Sequence, residues 1–290
     1  MDKLSLEAVH ARSLVDGIPA ESVPCSDRGL AYGDGLFETV ALVNGEPRHW
    51  RRHLTRLRRG AERLRMSCPD DEVWWRDLQE LLAPATAGNQ GPASAVLKLI
   101  LTRGSGPRGY APTTGQPPRR ILQISPWPGT AEETLARVIL CHTPLARSPL
   151  LAGIKHLNRL EQVLGADEVA RAGAQEGLML DTEGDLVAGT RGNVFLLQNG
   201  GLLTPPLGLS GIQGIMREVL LEVAPTLGFP TTLQRLTLED LERCEGVALT
   251  NSVRGLQVVE TLDLPSGRRE LAGAQLLALR EGLRQRHLAP

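Results

Sequence analysis

The sequence predicts an α/β protein with mixed sheets, built in two parts of which the first is smaller. Three observations carry this. Strand-like and helix-like segments alternate along the chain. Several strand pairs are joined by tight Asn-Gly or Glu-Gly turns, which make antiparallel neighbours. One segment rich in Gly and Pro, GSGPRGYAPTTGQPPRR, interrupts the alternation. With 290 residues and 41% hydrophobic content the chain can bury a sizeable core, and with only 3% aromatic residues Leu, Val, Ile and Ala must fill it.

Taken in order, ETVALVNG reads as a strand closed by an Asn-Gly turn, with its return strand at 46–50. RHWRRHLTRLRRGAERLR spaces Leu54, Leu57 and Leu64 as one face of a helix and leaves a solvated basic face opposite. A second helix is expected over about 70–82, and SAVLKLILTRG is a strand apolar on both faces. The Gly/Pro segment then reads as a loop ending in a linker. The expected boundaries are a small α/β domain over 1–115, a linker over 116–121 and a larger domain over 122–290, opened by the strand ILQISPWP. The larger domain should hold a strand at 136–142, a helix over about 158–172, and the hairpins EGLMLDTEGDLVAG and RGNVFLLQNGGLLTP. SGIQGIMREVLLEVAPTLG follows as a helix entered through a Gly-containing loop, then a short helix at 239–244 and final strands in GVALTNSVRGLQVVETL.

The formal net charge of −1 gives no electrostatic case for nucleic acid. No stretch approaches ~18 uninterrupted apolar residues, and the opening MDKLSLEAVHARSL lacks a signal-peptide core, so no membrane association is expected. Cys25, Cys68, Cys141 and Cys244 are dispersed without a CxxC pair, which argues against zinc and disulfides and fits a reducing cytoplasm.

Only three of the 32 basic residues are lysine: Lys3, Lys98 and Lys155. A chain that otherwise writes arginine has kept few primary amines, and guanidinium cannot do the work of an amine that must lose its proton. Lys155, in LAGIKHLNRLEQ, is thus a candidate for Schiff-base chemistry with a carbonyl cofactor; the competing reading is an ordinary surface lysine. Leu209–Ile215 enters a helix through glycines, a setting whose backbone amides bind phosphate. Thr250–Ser252 puts hydroxyl and amide groups in a loop at a strand end. An amine, a phosphate cradle and a hydroxyl-bearing loop are together what pyridoxal 5′-phosphate requires.

The segments SDRGLAYGDGLFETV, HLTRL, RGSGPRGY, AGIKHLNRLEQV, GTRGNVF, GIQGIMR and LTNSVRGLQ resemble the fold-type IV pyridoxal-phosphate enzymes over nearly the whole chain. That family includes branched-chain and D-amino acid aminotransferases and 4-amino-4-deoxychorismate lyases. RGSGPRGY with KHLNRLEQ is similar to the lyase branch. The resemblance implies that Lys155 holds the cofactor, and that Arg56, the backbone amides of Ile212 and Gln213, and Ser252 meet its phosphate. It implies that Asn158 and Arg159 lie near the phenolic oxygen, that Arg108 or Arg103 meets a substrate carboxylate, and that Asn251 orients the substrate. It also implies a homodimer.

One position departs from the pattern. Ala188 stands where relatives carry a glutamate that keeps the pyridine nitrogen protonated. Glu183 and Asp185 lie nearby in sequence, and Arg191 would disfavour that proton if it pointed inward. The lyase expectation tolerates the change best, because forming an aromatic product supplies much of the driving force. An aminotransferase of D-amino or branched-chain amino acids is the alternative, and a cofactor-binding protein with impaired catalysis is the second.

Overall fold

The computed structural model describes residues 12–86, 94–129 and 134–289; Lys3 and the first eleven residues lie outside this range. The chain forms two compact units. One comprises the chain up to Gly129 together with Ile154–Asn158, the other the chain after Gly129 up to Gly153 and from Arg159 onward.

The first unit is a six-stranded antiparallel sheet. Its strands are β1 (Arg12–Val15), β2 (Ile18–Pro19), β3 (Gly35–Val43), β4 (Glu46–Pro47), β5 (Ser94–Thr102) and β6 (Arg119–Pro126), in the order β2-β1-β6-β5-β3-β4. Helix α1 (Arg28–Tyr32) precedes β3, and α2 (Trp50–Arg63) and α3 (Asp71–Thr86) follow β4. The β3–β4 turn has positive φ at both Asn44 (53°) and Gly45 (79°), the conformation that Asn-Gly favours. Leu54, Leu57 and Ala61 of α2 are buried, and Gly60 lets α2 approach the sheet so closely that a Cβ there would lie 2.9 Å from Leu36.

Strand β6 corrects the expected boundary. Its residues 119–126 pair with 95–102 of β5, and it also pairs with β1, so the Gly/Pro segment is a loop inside the first unit and the change of unit falls after Gly129 rather than at 116–121. Gly and Pro mark a loop, but composition does not say whether the loop joins two strands of one sheet or two domains. β1, β2 and α1 had no counterpart in the sequence reading.

The second unit holds β7 (Thr134–Leu135), β8 (Val138–Leu140), α4 (Leu160–Arg171), β9 (Glu176–Leu180), β10 (Leu186–Gly189), β11 (Asn193–Gln198) and β12 (Gly201–Thr204). These are followed by α5 (Ile215–Val223), β13 (Thr231–Leu233), α6 (Leu238–Arg243), β14 (Gly246–Asn251), β15 (Gly255–Val259), β16 (Thr261–Leu264), β17 (Gly267–Glu270) and α7 (Ala274–Gln285). The sheet runs β17-β16-β8-β9-β10-β11-β14-β15-β7, with β12 and β13 continuing from β11, and it is mixed: β8–β9, β16–β8, β15–β7 and β12–β13 are parallel pairs.

Both faces of this sheet are covered. Val194, Leu196, Val247 and Leu249 enter one apolar cluster, whereas Phe195, Leu197 and Ala248 enter another with Met216, Val219 and Leu220 of α5 and Leu276 and Leu279 of α7. Burial on both faces explains why NVFLL and GVAL read as continuous apolar runs. Helix α7, which closes the second cluster with Leu283, had no counterpart in the sequence reading.

Candidate active site

In the first unit, residues 154–158 lie against the start of β3. The Phe37 amide donates to the Lys155 carbonyl (2.9 Å) and the Leu157 amide to the Gly35 carbonyl (2.9 Å). This fixes the Lys155 backbone and sets its Nζ 4.2 Å from the centroid of the Phe37 ring. Lys98, across from Thr39 on β5, brings its Nζ to 5.6 Å from the same ring. Two of the three lysines in the chain therefore meet on one phenyl group. Lys98 was counted in the sequence but given no role; its rarity was the available signal.

The next residue of β3 points to the opposite face. Glu38, fully buried, accepts from Arg56 Nε (2.8 Å) and Nη2 (2.5 Å) and meets His53 Nδ1 at 2.6 Å. Burial is the largest influence on Glu38 and raises its pKa, but Arg56 and His53 together outweigh it and hold the carboxyl down at about 2. Burial pushes His53 below its ordinary value, with Glu38 pulling the other way, so the imidazole is neutral at neutral pH. Arg56, expected at a phosphate, is thus oriented by a buried carboxylate. The sequence signal for Glu38 was a single acid in the apolar run GLFETVALV.

Asn158 is exposed, and its Nδ2 donates to the Gly33 carbonyl (3.1 Å), pinning the turn after α1. Gly33 has φ +65°, and a Cβ there would lie 2.5 Å from Asn158 Oδ1, so only glycine suits this turn. The two arginines proposed for a carboxylate separate clearly. Arg103 is committed to the fold, donating to Asp34 through Nε (2.7 Å) and Nη2 (3.0 Å) and to the carbonyls of Leu64 and Arg65. Arg108 is exposed in the following loop.

In the second unit, Asn193 gathers three of the expected segments. Its backbone lies opposite Ala188 of β10 on one side and Thr250 of β14 on the other, and its Nδ2 donates to the Ile212 carbonyl (2.8 Å). A Cβ on Gly214 would overlap Asn193 Oδ1, so glycine is required for the loop to pass. Ile212 bridges Gly153, and the Gln213 amide donates to the Gly153 carbonyl (3.1 Å). Helix α5 begins after Gly214, so the amides of Gly214, Ile215, Met216 and Arg217 lack an acceptor inside the helix and directly follow the expected Ile212 and Gln213.

Asn251 Oδ1 accepts from the amides of Val253 (3.1 Å) and Arg254 (2.8 Å), which turns the loop carrying half-buried Ser252. Thr250 Oγ1, beside that loop, is buried with no hydrogen-bond partner. Arg159 sits at the N-cap of α4, where burial pulls its pKa down to about 10.

Ala188 is 8% exposed and packs among Cys141, Leu145, Val169, Met179, Val187 and Leu207. Of the acids nearest in sequence, Asp185 is paired with Arg147 and Arg235, and Glu183 is exposed. Arg191 points outward, its side chain 65% exposed and its Nε donating to Glu176 (3.0 Å).

In kind, the first unit offers an ordered primary amine and a buried arginine, and the second offers helix-end amides and an unsatisfied buried hydroxyl, groups of the kinds that pyridoxal 5′-phosphate takes. Ala188, the residue expected at the ring nitrogen, offers no polar group.

The family model described as amino-transferase class IV matches residues 35–262. Among solved structures, the chain is similar to 4-amino-4-deoxychorismate lyase from Pseudomonas aeruginosa, with 43% identity and a TM-score of 0.83 over 94% of this chain and 98% of that one. It is 32% identical to the aminodeoxychorismate lyase of Vibrio harveyi over 88% of this chain and 92% of that protein. It is also similar to a hypothetical aminotransferase from Mycobacterium tuberculosis in its PLP-bound form, at 25% identity and a TM-score of 0.78 over 94% of this chain and 98% of that one.

Proposed function

This chain belongs to the amino-transferase class IV family, and we propose that within it the chain is a pyridoxal-phosphate-dependent lyase that converts 4-amino-4-deoxychorismate to 4-aminobenzoate and pyruvate. The observation that carries this reading is the 43% identity to a lyase across nearly the full length, against 25% for the PLP-bound aminotransferase. The pathway it serves is folate synthesis.

The cofactor, when bound, supplies an aldehyde for the substrate amine and a conjugated ring that takes up electrons. Lys155 provides the amine that holds the aldehyde carbon. The same amine would take the C4 proton of the substrate, and the Phe37 ring 4.2 Å from Nζ would keep it in place. Loss of the enolpyruvyl group then makes the six-membered ring aromatic.

Arg56, held by Glu38, and the amides of Ile212 and Gln213 at the entry to α5 would receive the phosphate, with Ser252 as a further donor. Asn158 and Arg159 serve the phenolic oxygen. Arg108 meets a substrate carboxylate, and Asn251 orients the substrate. With Ala188 at the ring nitrogen, the cofactor would lack a carboxylate there and be a weaker electron sink. Aromatisation compensates in the elimination, whereas transamination has no such help.

A homodimer is part of the proposal. Leu160 (77% exposed), Val163 (60%) and Leu164 (55%) form an apolar stripe at i, i+3 and i+4 on α4, suited to a second copy. A cytoplasmic setting fits the four free cysteines, and no helix among the described residues is long and apolar enough to cross a membrane.

The test is to record the visible spectrum of the purified protein, reduce it with borohydride, and locate the label. Enzymatically generated aminodeoxychorismate is then added while products are followed. Label on Lys155 with equal amounts of 4-aminobenzoate and pyruvate is the expected result. Amino-group transfer to a keto acid without those products would favour the aminotransferase reading.

A further inference from the structure

Arg28 in α1 is 3% exposed, yet most of its hydrogen bonds go to the backbone of a distant loop. Its Nη1 donates to the Gly109 carbonyl (2.9 Å) and its Nη2 to the Tyr110 carbonyl (2.7 Å). Its Nε donates to Asp34 (2.9 Å), the carboxylate that also takes the fork of Arg103. The guanidinium lies 4.9 Å from the Tyr32 ring centroid, Tyr32 Oη accepts from the Gly109 amide (3.2 Å), and the Tyr32 and Tyr110 rings pack at 5.4 Å. Gly109 adopts φ +105°, a backbone state that side chains rarely allow. The residue directly after Arg108 is thus held at its carbonyl by Arg28 and at its amide by Tyr32, while Arg108 itself stays exposed.

We infer that Arg28 is a positioning residue for recognition of the substrate carboxylate, acting through the 108–110 backbone to aim Arg108. This rests on the reading that Arg108 meets that carboxylate. An arginine that binds a carboxylate by its fork must arrive at a fixed angle, and an exposed side chain on an unanchored loop spreads over many. A planar guanidinium spans two consecutive carbonyls; an ammonium makes only point contacts.

The test compares Arg28→Met, Arg108→Met and the double variant, with amide hydrogen exchange across 104–112 as a readout independent of activity. Arg28→Met should raise KM about tenfold with kcat within about twofold, and speed exchange in the loop by about tenfold. On the Arg108→Met background it should change KM less than about twofold, because its effect passes through Arg108. Arg28→Lys should behave like Arg28→Met, and Tyr32→Phe should act in the same direction with a smaller change, which keeps the test open if Arg28→Met folds poorly.

Additive effects of the two arginine variants, or loop exchange unchanged in Arg28→Met and Tyr32→Phe alike, would overturn the inference. An unchanged KM in Arg108→Met alone would instead remove the carboxylate role of Arg108. In that case Arg28→Met would still speed loop exchange but leave KM alone, and the two failures are told apart.

Discussion

The two units hold their functional groups by opposite means. In the first, charge is set against charge: Glu38 lies between His53 and Arg56, and Asp34 between Arg28 and Arg103. In the second, the backbone does the placing. Gly153 bridges Ile212, Asn193 holds the Ile212 carbonyl, Asn251 turns its own loop, and position 188 is simply packed. The difference separates two kinds of failure. The first unit's groups are balanced in the fold itself, so removing one partner should injure stability and function together. Helix-end amides cannot be deleted by changing a side chain, so the second unit is vulnerable mainly where geometry leaves no room.

Lys155→Arg is the severest way to test this contrast, because it keeps the positive charge and removes only the amine. Turnover should fall by at least about three orders of magnitude, and the visible absorbance of bound cofactor should vanish, while thermal stability of the cofactor-free protein changes little. Retained turnover would break the proposed role of Lys155.

Glu38→Gln should be the most damaging change to the fold, since it leaves the Arg56 charge buried without its carboxylate. A loss of about 3–5 kcal/mol is expected in denaturant unfolding, mostly recovered in the Glu38→Gln, Arg56→Met double variant. Acid should expose the same pair. Glu38 has a folded pKa of about 2 against an ordinary 4.5, so its contribution is complete above pH 4.5 and is lost as pH falls toward 2. His53 is held below its ordinary 6.5, so the unfolded chain takes up its proton first and stability also declines as pH falls below 6.5. Denaturation midpoints between pH 7 and pH 3 should fall for the natural protein, and less steeply below pH 4.5 in Glu38→Gln, where Asp34, Asp181 and Asp263 still lose their own contributions.

For the second unit the corresponding change is Gly214→Ala, whose Cβ overlaps Asn193 Oδ1 and displaces the entry to α5. Pyridoxal-phosphate affinity should fall about tenfold in a titration, through misplaced amides rather than a missing side chain. Unchanged affinity would mean that the α5 amides do not meet the phosphate.

How far the sequence could be read follows the same divide. Strands with apolar runs, Asn-Gly turns and the amphipathic α2 were legible because each is a local pattern. The β6 boundary was not, since sheet membership depends on pairing partners remote in sequence. Lys155 stood out by rarity. Glu38, Arg28 and Asn193 did not, because a positioning role lies in what a side chain touches, and Arg28 reaches 81 residues along the chain to do it.

Ala188→Glu asks for the smallest effect and probes the contrast at its sharpest point, by putting a charge where the second unit has none. The side chain would enter an apolar cluster with no counter-charge and take up a proton there, so the cofactor-free protein should lose about 1–3 kcal/mol. If the cofactor's ring nitrogen lies at this position, the new carboxylate gains a protonated partner on binding, and cofactor should restore the loss and dissociate severalfold more slowly. Thermal melts of both forms, with and without pyridoxal phosphate, read this directly. A loss that cofactor does not relieve would place the ring nitrogen elsewhere and make Ala188 a packing residue, its departure from the family pattern carrying no electronic meaning.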